Sequence, residues 1–148
     1  MISPEEFRRY AYFVGAPHKV LVALANSSTV RKFKTGERIF EEGHPAKHLM
    51  IVKSGQVDII YQLGDNREVV AESAISGDVI SWSAVLAPYQ LTASAVGSKD
   101  GELIEVEGRK ILEICEADES LGYQLMTEIA KGLRDRLTGL RVQIAATR

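Results

Sequence analysis

The sequence predicts a mainly β protein, a double-stranded β-helix or jelly roll, with short helices before it and a long helix after it. Three observations support this fold class. Over residues 29–106, runs of five to eight residues rich in Val, Ile, Phe and Tyr are separated by glycines. On both sides of this region, apolar residues recur at helical spacing. The 148 residues are 45% hydrophobic, which suffices for a core without disulfides or metals.

We expect one domain made of three consecutive parts. A chain of 148 residues has the usual length of one domain. Within the domain 1–148, the expected parts are N-terminal helices in 1–27, the β-roll in 28–107 and C-terminal helices in 108–148.

The first residues predict a helix start. Ser3 can cap the helix and Pro4 suits its first turn. Glu6 stands three residues after the serine, where it can complete a capping box. We therefore expect a short helix to about Phe13, followed by a second, apolar helix over residues 19–25.

Two β-hairpins are expected inside the roll. Residues 49–53 and 57–61 have the composition of strands, and Ser54 and Gly55 separate them. The next pair of strands is separated by Gly64, Asp65 and Asn66, which tolerate positive φ.

After the roll, helical spacing returns over residues 109–116 and then in a longer segment that Asp118 or Ser120 can cap and that continues to about Ala146. At 1.5 Å per residue the longer helix is roughly 40 Å long. Because it extends beyond a domain of this size, we expect a two-fold dimer through its distal half; packing on its own roll alone is the alternative. The spacing predicts one apolar stripe, made of Leu121, Leu125, Ile129, Leu133, Leu137, Leu140 and Ile144.

The composition excludes several classes of protein. Basic and acidic residues nearly balance, 18 against 20, and neither sign forms a block that would bind nucleic acid. Cys115 is the only cysteine, so there is neither a disulfide framework nor a Cys-x-x-Cys zinc motif. The N-terminus lacks the pattern of a signal peptide, and no apolar run could span a bilayer. We expect a cytoplasmic protein without nucleic acid or membrane as a direct partner.

Neither metal binding nor catalysis is expected. His18, His44 and His48 have no carboxylate or thiolate at supporting spacing. The sequence contains neither a Gly-x-Ser-x-Gly elbow nor a phosphate-binding Gly-Lys-Thr loop. Cys115 lies on an apolar helical face, where it is expected to be a small core residue. The sequence therefore predicts no cofactor and no enzyme activity.

The segment of residues 32–57 carries a spaced set of turn residues. Gly36, Gly43 and Gly55 separate its strands, and Ala46 follows the second glycine by three residues. Glycine suits barrel corners, where the chain bends sharply. This pattern resembles the opening of a cyclic-nucleotide-binding domain, as in effector domains of the CRP/FNR type. The resemblance covers nearly the whole chain, including the flanking helices.

Residues 77–95 resemble the phosphate-binding cassette of that family, a short helix between two strands. The resemblance implies that backbone N–H groups at the helix start bind the phosphate, and that Ser94 faces it. Trp82 can stack on a planar ligand or fill the pocket as a core residue. The expected ligand-binding residues are Ser81, Trp82, Ser83, Ala84, Leu91, Thr92, Ala93 and Ser94.

The cassette departs from the family pattern at its two charged positions. Ser81 and Trp82 stand where the family has Gly-Glu, whose glutamate accepts from the ribose 2′-hydroxyl. Leu91, or Gln90 or Thr92 in a register shifted by one, stands where the family has an arginine that pairs with the phosphate. Each lost bond to a charged group is worth about 1.5–3 kcal/mol, so nucleotide affinity is expected to fall by roughly two to four decades.

The sequence therefore predicts a non-catalytic small-molecule sensor with weak or altered nucleotide specificity, which signals through its C-terminal helix. Its expected partners are a small-molecule effector, a second copy of the chain and a further protein. Direct DNA binding is not expected, because similar transcription factors carry a helix-turn-helix domain after the long helix and this chain stops at Arg148. The alternative is a ligand-free structural or dimerisation module, in which Trp82 and Leu91 fill the pocket.

Overall fold

A computed structural model describes residues 2–146. Met1, Thr147 and Arg148, which belong to the expected ranges 1–27 and 108–148, lie outside the described residues. The helices are α1 (Pro4–Arg8), α2 (His18–Asn26), α3 (Gly108–Ala117) and α4 (Glu119–Ala146), with short 3-10 helices at Ala11–Phe13 and Trp82–Val85. The strands are β1 (Ser28–Phe33), β2 (Arg38–Phe40), β3 (His48–Gln62), β4 (Glu68–Ala74), β5 (Val79–Ile80) and β6 (Ser94–Glu107).

The strands form one antiparallel sheet organised around the two longest, β3 and β6. β6 pairs with β1, β2 and β3, and β3 also pairs with β4 and β5. The main strand order is β1-β6-β3-β4. Helices stand on both sides of this region in the chain, which confirms the predicted mainly β class.

β3 contributes to two groups of buried side chains, because neighbouring residues of a strand face opposite sides. Leu49 and Ile51 pack in a cluster that includes side chains of α1, α2 and the first half of α4. Met50 and Val52 pack in a second cluster, formed by strand residues and Ala93. The helices and the strands therefore share β3 as a common wall.

One predicted hairpin is confirmed and the other is wrong. β3 and β4 are joined through residues 63–67, where Asn66 has φ 66°. In contrast, β3 continues through Ser54 and Gly55, with irregular register against β6. A Cβ at Gly55 would lie 2.5–2.8 Å from backbone atoms of residues 99–101. Gly55 therefore permits a close approach of two strands, and it does not reverse the chain.

The N-terminal helix is shorter than predicted, and its capping box is absent. α1 ends at Arg8, and the Ser3 side chain makes no capping hydrogen bond. The Glu6 carboxylate instead accepts from the Tyr10 hydroxyl at 3.2 Å. Burial, together with this carboxylate, raises the pKa of Tyr10 to about 12.

Cys115 packs beside the core, as the sequence predicts. Its side chain is partly buried in α3 and contacts the cluster that contains the helices. Burial raises the pKa of the thiol above its ordinary value. Its environment is that of a small apolar core residue.

The predicted apolar stripe of α4 does not stay on one side of the helix. Leu121, Leu125 and Ile129 are buried, whereas Leu133 and Leu137 are 40% and 61% exposed. At 3.6 residues per turn, each step of four residues adds about 40° to a full turn. Four such steps rotate Leu137 roughly 160° away from Leu121. Leu133 and Leu137 therefore face away from the buried side of α4.

Gly132 and Arg136 continue the buried face of α4. In helical projection they lie roughly 20° and 60° from Leu121, within the arc of the buried residues. Arg136 is only 6% exposed. Asp118 precedes the first residue of α4, and its carboxylate accepts from the Leu121 N–H at 3.1 Å, so Asp118 is the cap and Ser120 is not. Within residues 2–146, no helix has the length and apolarity needed to cross a membrane.

Candidate functional site

The cassette at residues 77–95 consists of β5, the 3-10 helix Trp82–Val85 and an irregular segment that leads into β6. β5 pairs with Met50 and Ile51 of β3, which fixes the start of the short helix. Before β5, the Asp78 carboxylate accepts from the Ile75 N–H at 2.9 Å. The segment has the order of strand, short helix and strand that the resemblance implies.

Ser81 stands immediately before the short helix, with φ 59° and ψ 40°. This is the left-handed region, which glycine adopts far more readily than serine. The hydroxyl of Ser81 donates to the backbone carbonyl of His48. That bond to β3 holds the strained residue in place and occupies the hydroxyl that the sequence predicts as a ligand donor.

Trp82 is buried between the cassette and α4. Its side chain is 6% exposed, and the Arg136 guanidinium lies 4.4 Å from the centre of the indole ring. This distance is within the range of a cation–π interaction, which is worth about 2 kcal/mol when desolvated. Gly132 lies against the six-membered ring of the indole, because a Cβ there would be 3.4 Å from Cζ3.

Arg136 is held by two side chains besides stacking on the indole. Its Nη2 and Nε donate to one carboxylate oxygen of Glu72, at 2.6 and 3.1 Å. Its Nη1 donates to the Tyr61 hydroxyl at 3.2 Å. We call Arg136, Glu72, Tyr61 and Trp82 the Arg136 cluster. A guanidinium from α4 and a carboxylate from β4 thus converge on a cassette that lacks the family's own charged pair.

Ser94, the predicted phosphate-facing hydroxyl, is buried and already has two partners. It accepts from the Glu42 N–H at 2.9 Å. It also donates to the Glu41 carboxylate at 3.3 Å. A carboxylate therefore stands beside the hydroxyl that the resemblance assigns to a phosphate.

Six of the eight predicted ligand-binding residues line one small cavity, which we call the cassette cavity. Ala84 lies outside it and borders a different groove, and Ser94 bonds to residues 41 and 42. The volume of the cassette cavity is about 10 Å³, room for about one water molecule. Its walls are Phe40, Ile59, Ser81, Trp82, Ser83, Leu91, Thr92, Ala93 and Arg136.

The sequence assigns no role to Arg136 or Glu72, although one of them carries a usable signal. Arg136 stands seven residues after Ile129 and eleven after Leu125, so helical projection places it on the buried face of α4. A buried arginine requires a partner. No comparable signal identifies Glu72, because β4 and α4 meet only through the tertiary fold.

Gly132→Leu is expected to displace the indole, whereas Gly139→Leu is not. Both glycines lie in α4, but a side chain at Gly132 would meet Trp82 and one at Gly139 would meet nothing within 4 Å. Both substitutions raise helix propensity by about 1 kcal/mol. Because Trp82 is the only tryptophan, its emission measures the difference: we expect a red shift in the Gly132 variant only. Equal spectra would contradict the described packing of α4 on the cassette.

The fold and the cassette define the class of this protein. A β-roll with a cassette and a long C-terminal helix is typical of regulatory modules that sense small molecules. Residues 30–118 match the family model of the cyclic nucleotide-binding domain, and the chain belongs to that family. No curated protein sequence matches the chain significantly.

Solved structures with this fold include regulators from different organisms. A Geobacter metallireducens protein, provisionally described as cyclic nucleotide-binding, is 31% identical, with a TM-score of 0.79 over 93% of this chain and 99% of that chain. The Thermus thermophilus catabolite activator protein is 20% identical, with a TM-score of 0.75 over 92% of this chain and 63% of that one. The regulatory subunit of a cAMP-independent protein kinase A from Trypanosoma brucei is 15% identical, with a TM-score of 0.75 over 89% and 47%.

Proposed function

We propose that this chain is a non-catalytic regulatory module in which Arg136 holds α4 on the cassette, so that a small-molecule effector binds only when α4 moves. One observation carries the proposal: the Arg136 guanidinium lies over Trp82, and the cassette cavity has a volume of about 10 Å³. Pockets for small molecules usually measure about 300–1,000 Å³. An effector that enters the cassette cavity must therefore displace the guanidinium or the indole, which couples binding there to the position of α4.

The charges around the cassette disfavour tight binding of a cyclic nucleotide. Arg136 already pairs with Glu72, and Ser94 with Glu41. A cyclic phosphate would have to compete with Glu72 for Arg136 and with Glu41 for Ser94. The proposed effector is neutral or weakly anionic, with cyclic nucleotides bound weakly. The cAMP-independent trypanosome relative is consistent with a use of this fold that does not require cAMP.

The proposed output is a shift of α4. An effector can move this helix only through different affinities for its docked and undocked positions. Undocking breaks the ion pair between Arg136 and Glu72 and removes the guanidinium from the indole of Trp82. The effector must offset this loss with its own contacts. The docked state is therefore the resting state of the proposed module.

The proposed setting is the cytoplasm, with an effector, a second copy of the chain and a further protein as partners. A single cysteine suits a reducing compartment. The balance of 18 basic and 20 acidic residues gives no reason to include nucleic acid or a membrane surface as a direct partner.

The experiment compares cAMP and cGMP with the neutral nucleosides adenosine and guanosine, using calorimetry and the emission of Trp82. We expect no micromolar binding of either cyclic nucleotide, and nucleoside binding at least as tight as that of the corresponding cyclic nucleotide. Any compound that binds the cassette should also change the Trp82 spectrum, because it must disturb the Arg136 cluster. Arg136→Ala should produce a similar spectrum without ligand.

Arg134→Ala is the matched control, because Arg134 lies on the same helix, is exposed and, within residues 2–146, forms an ion pair only with its neighbour Asp135. Its spectrum should match that of the unmodified chain. Micromolar binding of cAMP would contradict the proposed ligand class. Binding at the cassette without any change in Trp82 emission would contradict the proposed coupling.

A ligand-free dimerisation module is the second candidate function. Its support is the burial of Trp82 and Leu91, which are 6% and 7% exposed and fill the cassette. In that case no nucleoside or cyclic nucleotide raises the melting temperature or changes Trp82 emission. Light scattering would still find a dimer.

Both candidate functions predict a dimer through the distal half of α4. Leu133, Leu137 and Leu140 are spaced by four and three residues, as in a coiled coil, and the first two are exposed. Leu137→Lys is expected to give a monomer in light scattering. Val142→Lys is the control, because Val142 is 64% exposed on the same helix but lies five residues from Leu137, outside the spacing of the stripe. A dimer that survives the change at Leu137 would contradict this interface.

A further inference from the structure

A second cavity lies beside the cassette and shares no lining residue with the cassette cavity. Its volume is about 610 Å³, within the usual range for small-molecule sites. We call it the basic groove; its walls include Lys47, His48, Tyr89 and Arg109, with Ala84 of the cassette and Leu112 of α3. It has ample space for a ligand in the described conformation, whereas the cassette cavity has almost none.

Backbone contacts hold the two cations of the basic groove near each other. The Gly108 N–H donates to the Lys47 carbonyl at 2.9 Å. His48 pairs with Glu107 in the ladder between β3 and β6. The segments that carry Lys47 and Arg109 are therefore direct neighbours: Lys47 immediately precedes β3, and Arg109 lies in the first turn of α3.

The charges of the basic groove favour an anion. Lys47 and Arg109 are exposed, and neither side chain takes part in any ion pair among residues 2–146. Glu107 is the single carboxylate among the lining residues, so two permanent cations face one anion. His48 adds a ring that can donate or accept a hydrogen bond.

The remaining walls favour a planar apolar body. Tyr89 is 43% exposed, and backbone bonds fix its position: its N–H donates to the Leu86 carbonyl, and its carbonyl accepts from Ala46, both at 2.8 Å. Ala84 and Leu112 supply apolar surface. We propose that the basic groove binds a small organic anion, a planar ring that carries a carboxylate or a phosphate.

This site is independent of the proposed function but adjoins the same cassette. Ala84 stands two residues after Trp82, and a Cβ at Gly108 would lie 2.9 Å from the Ala84 carbonyl carbon. α3 and the cassette are thus in backbone contact at the edge of the groove. An anion bound there would lie next to Ala84 of the cassette without entering the cassette cavity.

The test uses two probes, benzoate and phenyl phosphate, in an NMR titration of the full chain. We expect saturable shifts at the amides of Lys47, Ala84 and Arg109 with at least one probe, and the comparison distinguishes a carboxylate from a phosphate site. The double variant Lys47→Gln with Arg109→Gln should weaken binding at least about tenfold. The control is Lys32→Gln with Lys99→Gln, two exposed lysines outside the groove, which should bind normally.

Each other outcome overturns the proposal. Shifts centred on residues 81–83 and Arg136 would place the anion in the cassette cavity; with phenyl phosphate they would also contradict the proposed preference of the cassette for neutral or weakly anionic effectors. Equal weakening in the control variant would mean general attraction to positive charge. Inorganic phosphate that binds as tightly as phenyl phosphate would contradict the role of the planar ring. No saturable shift with either probe would mean that the groove binds no such anion.

Discussion

Gly101→Ala is expected to lower the free energy of unfolding by about 3 kcal/mol, at the upper end of the usual cost of overpacking. The added Cβ would lie 2.6 Å from the Ser54 carbonyl carbon and 2.7 Å from the Gly55 Cα, and closest of all to the Ser54 carbonyl oxygen. These are backbone atoms of β3, which cannot rotate away as a side chain can. For a chain of this length, the melting temperature should fall by roughly 6–12 °C, measured by circular dichroism.

Gly64→Ala provides the matched comparison. Gly64 lies in the turn between β3 and β4, and a Cβ there would meet nothing within 4 Å. Its effect should stay within about 0.5 kcal/mol. If the two alanine variants melted together, β3 and β6 could not cross as closely as described.

Trp82→Ala should destabilise the chain by about 3–5 kcal/mol, the usual range for removing a buried indole. The indole is 6% exposed and supports the Arg136 guanidinium, which would lose its stacking surface. Unfolding in urea is best followed by circular dichroism, because the variant has no tryptophan left. Trp82→Phe keeps a ring under Arg136 and should cost clearly less than the alanine variant.

The Trp82→Ala variant should also bind indole. Apolar cavities left by large-to-small substitutions can take up a matching ring, and binding to the folded state raises stability. Added indole should therefore raise the melting temperature of the alanine variant and leave the unmodified chain unchanged. If the alanine variant had nearly unchanged stability and its melting temperature did not rise with indole, Trp82 would not fill the cassette.

The strand region and its closing turn could be predicted from the sequence because they depend on neighbouring residues. Gly64 to Asn66 offer positive φ between two apolar runs, and this local chemistry suffices for a hairpin. Gly55 shows the same local pattern, but glycine is required there for a different reason. Its partner Gly101 lies 46 residues later, so the close approach of β3 and β6 is a tertiary contact that no local pattern reveals.

The candidate site could be predicted only in part. The cassette sequence locates Trp82 and Leu91 and indicates that the usual charged pair is missing. The replacement pair comes from Glu72 and Arg136, which are 64 residues apart and meet through the packing of α4 on β4. Spacings of four residues along α4 also suggest one continuous apolar face. In a straight helix, however, each spacing of four rotates the side chain by about 40°, so after four spacings it points to nearly the opposite side.

The position of β3 between the two clusters of buried side chains has a consequence for how the module opens. Leu49 and Met50 are neighbours in the chain, yet they anchor different clusters. Unfolding of β3 would expose both clusters of buried side chains, so we expect the two clusters to unfold together. Amide hydrogen exchange in α2 and in β6 should therefore converge on one slow rate set by global unfolding, while the distal end of α4 exchanges faster.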